Sequence, residues 1–429
     1  MSRLFIVGLF VVFVALASSI RPAIAQSPPR DGDWAEFRGP TGQGHADQSV
    51  LPTHWAPDSN ITWRTEIPGV GWSSPVIVDG RVYVTTAVPL SEDAKPDQSL
   101  RALCLDVNSG EILWNVEVFQ ENGQTAPRIH PKNSHASPTA IVEEDKVYVH
   151  FGHLGTACLN TSDGSLVWAT QELMYKPTHG NGGSPVLVGD KLIFSIDGVD
   201  KQEVVALDKA TGKIAWETER GKKEGVKPFS FCTSLVIEVN GQKQLISPGS
   251  GIVLALDPAT GDEIWRVDYG KGYSVVPRPV YANGLLYICT GYDRSTMIAV
   301  RPDGTGDLTE THVEFTVDKG VPYNPSLLAV EDAVYMISDN GVLSCLDGKT
   351  GKLRWKQRIG GNFSASPLYA NGLVYLLDEA GLTTVFKPGE QFEEVAQNDL
   401  KERSLASFGI SGNAILLRTE KALYRIEIK

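Results

Sequence analysis

Residues Ala255 to Trp265 read ALDPATGDEIW, and Ala206 to Trp216 repeat the phrase as ALDKATGKIAW. Three looser copies are CLDVNSGEILW ending at Trp114, CLNTSDGSLVW ending at Trp168 and CLDGKTGKLRW ending at Trp355. In every copy an Asp or Asn stands eight residues before the Trp: Asp106, Asn160, Asp208, Asp257 and Asp347 pair with Trp114, Trp168, Trp216, Trp265 and Trp355. A fixed interior spacing marks one supersecondary unit used repeatedly, each burying its face against the next. The Asp can bond backbone amides two or three residues on and fix a turn. The Gly supplies the turn's positive φ, and the Trp offers a broad apolar surface to a neighbouring unit. These residues are therefore expected to build the fold and not to do chemistry.

Working outward, a second phrase precedes each copy. SSPVIVDGRVYV, Ser73 to Val84, is two alternating apolar runs around Asp-Gly, a hairpin signal. Comparable hairpins follow Ser137-Pro138, Ser184-Pro185, Thr233-Ser234, Arg278-Pro279, Pro325-Ser326, Ser366-Pro367 and Ala406-Ser407, making eight. The first seven lead into an Asp–Trp strand pair. That pair is degenerate in unit five, where Arg301 takes the Asp slot, and in unit seven, where Lys387 does. The eighth gains only ALYRIEI before the chain ends, while a spare Trp-bearing strand, ITWRTEI, lies at Ile61 to Ile67. The fold class that follows is all-β, an eight-bladed β-propeller of four-stranded antiparallel blades closed by the N-terminal strand, which removes exposed edges. Ile61 to Lys429 is 369 residues, about 46 per blade.

Residues 1–25 read as a secretory signal: Arg3, an apolar run from Leu4 to Ala17, and the small-residue site Ala23-Ile24-Ala25. No Cys precedes Cys104, so no lipid-modified cysteine is expected, and the mature chain is expected to be periplasmic or secreted, with no stable membrane insertion. Residues 26–60 are an irregular lead-in whose Trp34 and Phe37 should anchor it to the propeller at 61–429. Without Arg3 and Arg21 the net charge moves from −12 to −14, which disfavours nucleic acid as a partner. Cys104, Cys158 and Cys345 lie two residues before the repeat Asp or Asn, where other units place Ala206 and Ala255. They, with Cys232 and Cys289, are expected to be free, buried thiols.

If the strands of a blade are A to D from the axis outward, the A–B and C–D turns share one face. They are short here. The long connections are all B–C or D–A, and elaborated loops on one face of a regular scaffold are where binding usually lives. Candidate ligand residues on that face are His130, His135, His153, His179, Tyr273, Arg278, Asp293, Arg294, Asp339, Asn340 and Asn362. No spacing among the histidines is a metal signature, no metal is expected, and no nucleophile or phosphate-loop motif is present. The expectation is a monomeric, non-catalytic binding or scaffold module, with an envelope protein or a small polar ligand such as a sugar or peptide as partner.

The ALD-xx-TG-xxx-W phrase resembles the repeat of pyrroloquinoline-quinone (PQQ) propellers, which include quinoprotein alcohol dehydrogenases and BamB-like assembly proteins. The phrases WAEFRGPTGQG (Trp34 to Gly44), HGNGGSP (His179 to Pro185), GYSVVPRP (Gly272 to Pro279) and GYDRS (Gly291 to Ser295) look like those of exported bacterial PQQ-like repeat proteins. The resemblance implies a propeller and makes a PQQ-dependent oxidoreductase the alternative function. Quinoprotein dehydrogenases carry adjacent cysteines over the cofactor. No Cys-Cys pair occurs here, so no cofactor is expected.

Overall fold

In a computed structural model, residues 33–221 and 223–428 are described; the signal-like segment 1–25 lies outside them. The described residues form eight sheets, each of four antiparallel strands, and one sheet carries a short fifth strand. Blade 1 contains Val76–Val78, Arg81–Pro89, Gln98–Asp106 and Ile112–Glu121, and strand A of blades 2 to 8 begins at Ile141, Val186, Leu235, Val280, Leu328, Leu368 and Gly409. The A strands of neighbouring blades approach one another around the axis. Blade 8 is Gly409–Ser411, Ala414–Arg418 and Ala422–Ile426 plus Ile61–Glu66, which pairs antiparallel with the last of these. The N-terminal strand thus closes the ring, as the count of strands required.

The core lies between blades, not within them. Apolar clusters such as Val76, Tyr83 and Cys104 with Val147, Val149 and Leu159 each draw on adjacent sheets. All five cysteines are free and buried. Each repeat residue has a definite task. Asp208 Oδ1 accepts from Thr211 N (2.9 Å) and Thr211 Oγ1 (2.7 Å), and Asp347 repeats this with Thr350. Asp106 does the same with Asn108 and Ser109, and Asp257 accepts from Ala259 N. In blade 2 the slot residue is Asn160, and Asp163 takes the amide of Ser165 instead. The Trp indole N–H of one blade donates to the same turn of the next: Trp63 to Val107 O, Trp114 to Thr161 O, Trp168 to Lys209 O and Trp216 to Pro258 O. Gly212 has φ 71°, and any Cβ on it would run into the Trp168 ring, so the turn glycine is fixed by conformation and contact together.

The joint between blades 4 and 5 departs from this pattern. Unit five lacks the Asp–Trp phrase. Its excursion places Gly306–Asp307 parallel to Trp265–Arg266 as a fifth strand on blade 4. Trp265 is sealed beneath it at 0% exposure, against 9% for Trp168, and its indole turns inward to Gln244 Oε1 (2.8 Å). Phe315 fills the missing Trp position of blade 5 against Gly351.

Candidate functional site

Two residues before strand A, seven of the eight blades place a hydroxyl. The backbone N–H of each slot donates to the hydroxyl of the next: Ser74 to Thr139, Thr139 to Ser184 and Ser184 to Thr233, each 2.9 Å. The series resumes from Arg278 to Ser326 (3.0 Å), Ser326 to Ser366 (3.1 Å), Ser366 to Ser407 (2.9 Å) and Ser407 back to Ser74 (3.1 Å). It breaks once, between Thr233 and Arg278, because Arg278 has no hydroxyl. In blade 2 the slot is Thr139 and not Ser137, whose hydroxyl donates to Asn133 Oδ1 (2.5 Å). The ring follows from chain geometry: the slot lies two residues ahead of the inner strand in every blade, so eight of them converge on the axis. All seven hydroxyl residues are buried, none above 7% exposed.

Beneath the ring the lead-in crosses the axis and closes one end. Trp34 N donates to Ile77 O, Val142 N to Ala35 O, Tyr281 N to Gln43 Oε1 and Tyr369 N to Gly44 O, tying blades 1, 2, 5 and 7 together. Arg278 turns down into this plug. Its guanidinium donates to Phe37 O (2.6 Å) and Glu36 Oε2 (3.2 Å), and its Nε to Ser234 O (3.0 Å). Gly42 lies flat on that guanidinium, where a Cβ would collide. Arg38 is buried beside it, donating to Gln43 O and Leu327 O, and burial plus the neighbouring Arg278 bring its pKa down to about 9. For Glu36, desolvation pushes the pKa up and outweighs the opposing pull of Arg278.

Above the ring a funnel of about 290 Å³ opens toward the B–C and D–A loops, with Phe37 at its floor. Every blade entry contributes to it, through Trp72, His130, His179, Phe231, Tyr273, Asn324, Ser364 and Leu405. The mouth is aromatic: Phe229 packs edge-on against His179 and Tyr273, and Tyr292 stacks on Tyr323 at 4.4 Å. Lys227 sits over the Tyr273 ring and bonds its hydroxyl (3.0 Å), and Lys132 pairs with Glu379 (2.8 Å). Among the described residues, no Asp or Glu lines the funnel itself. Arg418 is buried in the wall. It donates to Ser73 Oγ and Thr85 O, both at 2.6 Å, and desolvation lowers its pKa to about 9.

Of the residues singled out from sequence, His130, His179 and Tyr273 line the funnel. The two histidine rings meet edge-on at 5.6 Å, and for His179 burial, then the charges of His130, Arg128 and Lys227, lower the pKa. His135 and His153 meet elsewhere, on either side of the buried Glu121 carboxylate. Burial opposes ionisation of Glu121, but the two histidines outweigh it and hold the carboxyl at about 2. His150 is buried on Phe194 at 4.2 Å. Arg278 belongs to the floor. Asp293 touches the Tyr273 hydroxyl (3.3 Å), and Arg294 points outward to Asp318. Asp339 caps Tyr323 N and Asn324, Asn340 bonds Ser338, and Asn362 accepts Glu379 N through its backbone. The histidines form two separate pairs, and no group of three metal-ligating side chains is found among the described residues. Sequence reading missed the hydroxyl ring, the buried Arg38 and Arg418, and the aromatic mouth apart from Tyr273. The ring had a signal, a small hydroxyl residue ahead of every A strand but one, masked in blade 2 by the Ser-Pro phrase lying two residues early.

Comparison with known proteins agrees with this architecture. The family described as outer membrane protein assembly factor BamB matches residues 53–195, 157–321 and 312–391. A search of curated proteins finds no match. Among solved structures, BamB from Moraxella catarrhalis aligns with a TM-score of 0.55 at 14% identity, over 85% of this chain and 97% of that one. Quinohemoprotein alcohol dehydrogenase from Comamonas testosteroni aligns at 0.67 and 12% identity, over 94% and 82%. The C-terminal WD40 domain of Sif2 aligns at 0.54 and 11%, over 85% and 97%. Proteins so different in role, at such low identity, speak for the fold alone. The family model, covering well over half of the sequence, carries the assignment: the chain belongs to the PQQ-like repeat family described as outer membrane protein assembly factor BamB.

Proposed function

We propose that the protein is an exported, non-catalytic binding module that engages its partner through the funnel and the loops around it. The observation that carries this is the funnel: one cavity to which every blade contributes, with an aromatic mouth and a hydroxyl-lined throat. Pockets built from apolar walls with a few converging polar groups are the usual form of ligand sites. The signal-like residues 1–25 support a periplasmic or secreted location, and no helix among the described residues is long and apolar enough to cross a membrane. The family's description, an outer membrane assembly factor, makes an envelope protein the favoured partner. Photo-crosslinking in envelope extracts tests this, with the reactive group at Tyr323 on the rim or at Lys356 on the outer edge of blade 6. Adducts specific to Tyr323 are expected; adducts at Lys356 alone would reject the funnel face.

The aromatic walls favour one second reading, a PQQ-binding oxidoreductase. PQQ is a planar ring system edged with carboxylates, which these walls and the two lysines suit. Among the described residues, the lining holds no carboxylate to ligate a divalent cation beside it. Titration with PQQ and calcium is expected to give no saturable quinone absorbance change; a stoichiometric change would reverse the preference.

A further inference from the structure

We propose that the throat of the funnel is an anion site, in which the ring hydroxyls hold one oxyanion group of the phosphate, sulfate or carboxylate kind. The proposal deepens the reading of the funnel as the binding face and rests on it.

The first argument is a donor count. A serine or threonine hydroxyl has one hydrogen to give and two lone pairs. Each of the seven ring oxygens uses a lone pair on the N–H of a neighbouring blade. None donates its own hydrogen to an acceptor among the described residues. The seven residues are at least nine-tenths buried, and all line the cavity. Seven O–H donors therefore face one space without a hydrogen bond to any described acceptor. Water can accept from some of them. A charged oxygen does so about twice as strongly.

The second argument is charge, and it is independent of the first. The chain carries 51 acidic residues against 39 basic ones, yet among the described residues no acidic one lines this cavity. Three guanidinium groups are buried around the throat, Arg278 and Arg38 below it and Arg418 beside it. Of the carboxylates nearby, Glu36 sits on Arg278, and the buried Asp197 lies behind Gly182 and Phe231 and is paired with Arg220. Among these three guanidinium groups, only Arg278 is paired with a carboxylate, that of Glu36. The guanidinium groups of Arg38 and Arg418 donate to backbone carbonyls and to the Ser73 hydroxyl instead. At the mouth, Lys132 is balanced by Glu379, and Lys227 has Asp293 nearby across Tyr273. Converging donors with excess positive charge behind them are the chemistry of anion-binding concavities. They repel a cation. The group fits at the base of a 290 Å³ funnel with room above it. It can therefore be a free inorganic oxyanion or the acidic end of a larger, ring-bearing molecule lying against the aromatic mouth.

Isothermal titration of the whole native protein with inorganic phosphate, sulfate and benzoate, at constant ionic strength, tests the site. One saturable site per chain is expected, with the anions displacing one another. A tighter phosphate marks a free oxyanion as the natural occupant, and a tighter benzoate marks an organic acid. Ser366→Asp keeps an acceptor for the Ser326 N–H but places a negative charge on the ring, so affinity should fall at least tenfold. Thr233→Asp, at the break in the ring, is the second such variant if the first does not fold. Native protein showing no saturable anion binding overturns the proposal, as does unchanged affinity in either folded variant. Cross-linking at Tyr323 reads the rim independently, so a silent throat beside a reactive rim refutes the anion site and leaves the binding face standing.

Discussion

A single glycine shows how tightly each blade joint is specified. At Gly212 the backbone is left-handed and the ring of Trp168 occupies the space of a side chain. Gly189 has the same handedness, φ 60°, but open space around it. Gly189→Ala should cost only the conformational term, about 1–2 kcal/mol. Gly212→Ala adds displacement of the indole and should cost about 2–4 kcal/mol. Denaturant midpoints of the two variants measure the difference, and equal losses would mean the indole contact contributes nothing. Glu121 makes a pH-dependent prediction. Its folded pKa is depressed to about 2, so its stabilisation is present above the ordinary carboxylate range and is lost as pH falls toward 2. Glu121→Gln should cost up to about 3 kcal/mol at pH 7 and converge with the native protein as pH approaches 2. A constant gap across that range in urea titrations would show that the cost is packing, not ionisation.

At the scale of elements, the strand at Ile61–Glu66 is the one that belongs to blade 8 in space and to the other end of the chain in sequence. Chains starting at Ile61 and at Gly69 both lack the plug, so their comparison isolates the strand. The shorter one should melt well below the longer. Coincident melts would show that blade 8 is stable with three strands. This closure was legible in the sequence because strands could be counted and one spare Trp-bearing strand matched one vacancy. The fifth strand on blade 4 was not legible: Gly306 and Asp307 pair through backbone alone, and two residues carry no periodicity. The same joint lacks the ring link from Thr233 and the indole bond from Trp265 to the next turn. At this boundary the parallel strand joins the outer edges of the two blades, and Arg278 Nε bonds Ser234 O near the axis.

For the whole molecule, the inter-blade core leaves every thiol inside a packed joint. Burial raises the thiol pKa at all five, to about 12 for Cys104 and Cys232 and about 11 for Cys158. Native protein should therefore react with under one equivalent of a thiol reagent, and unfolded protein with five. Rapid labelling of the folded chain would contradict the packing described. Architecture at this scale was readable because repetition multiplies a weak signal: five copies of one phrase fix the blade. The site was only partly readable. Side chains that converge on an axis come from eight places separated by about 46 residues, and no local pattern links them. His130 and His179 were visible as unusual residues in long loops, but their meeting depends on the ring closing. Arg278 belongs beneath the throat because its slot points inward, a direction that loop membership alone does not give.

The lead-in also decides how the tunnel along the axis is used. Its first described residues, Asp33 and Trp34, sit by the A–B turn of blade 1, on the plugged side. With Phe37 and Gln43 bonded across that end, the tunnel is a cup and not a channel. Anything that occupies it must enter and leave by the same mouth, past the aromatic rings, so exchange is governed by one doorway.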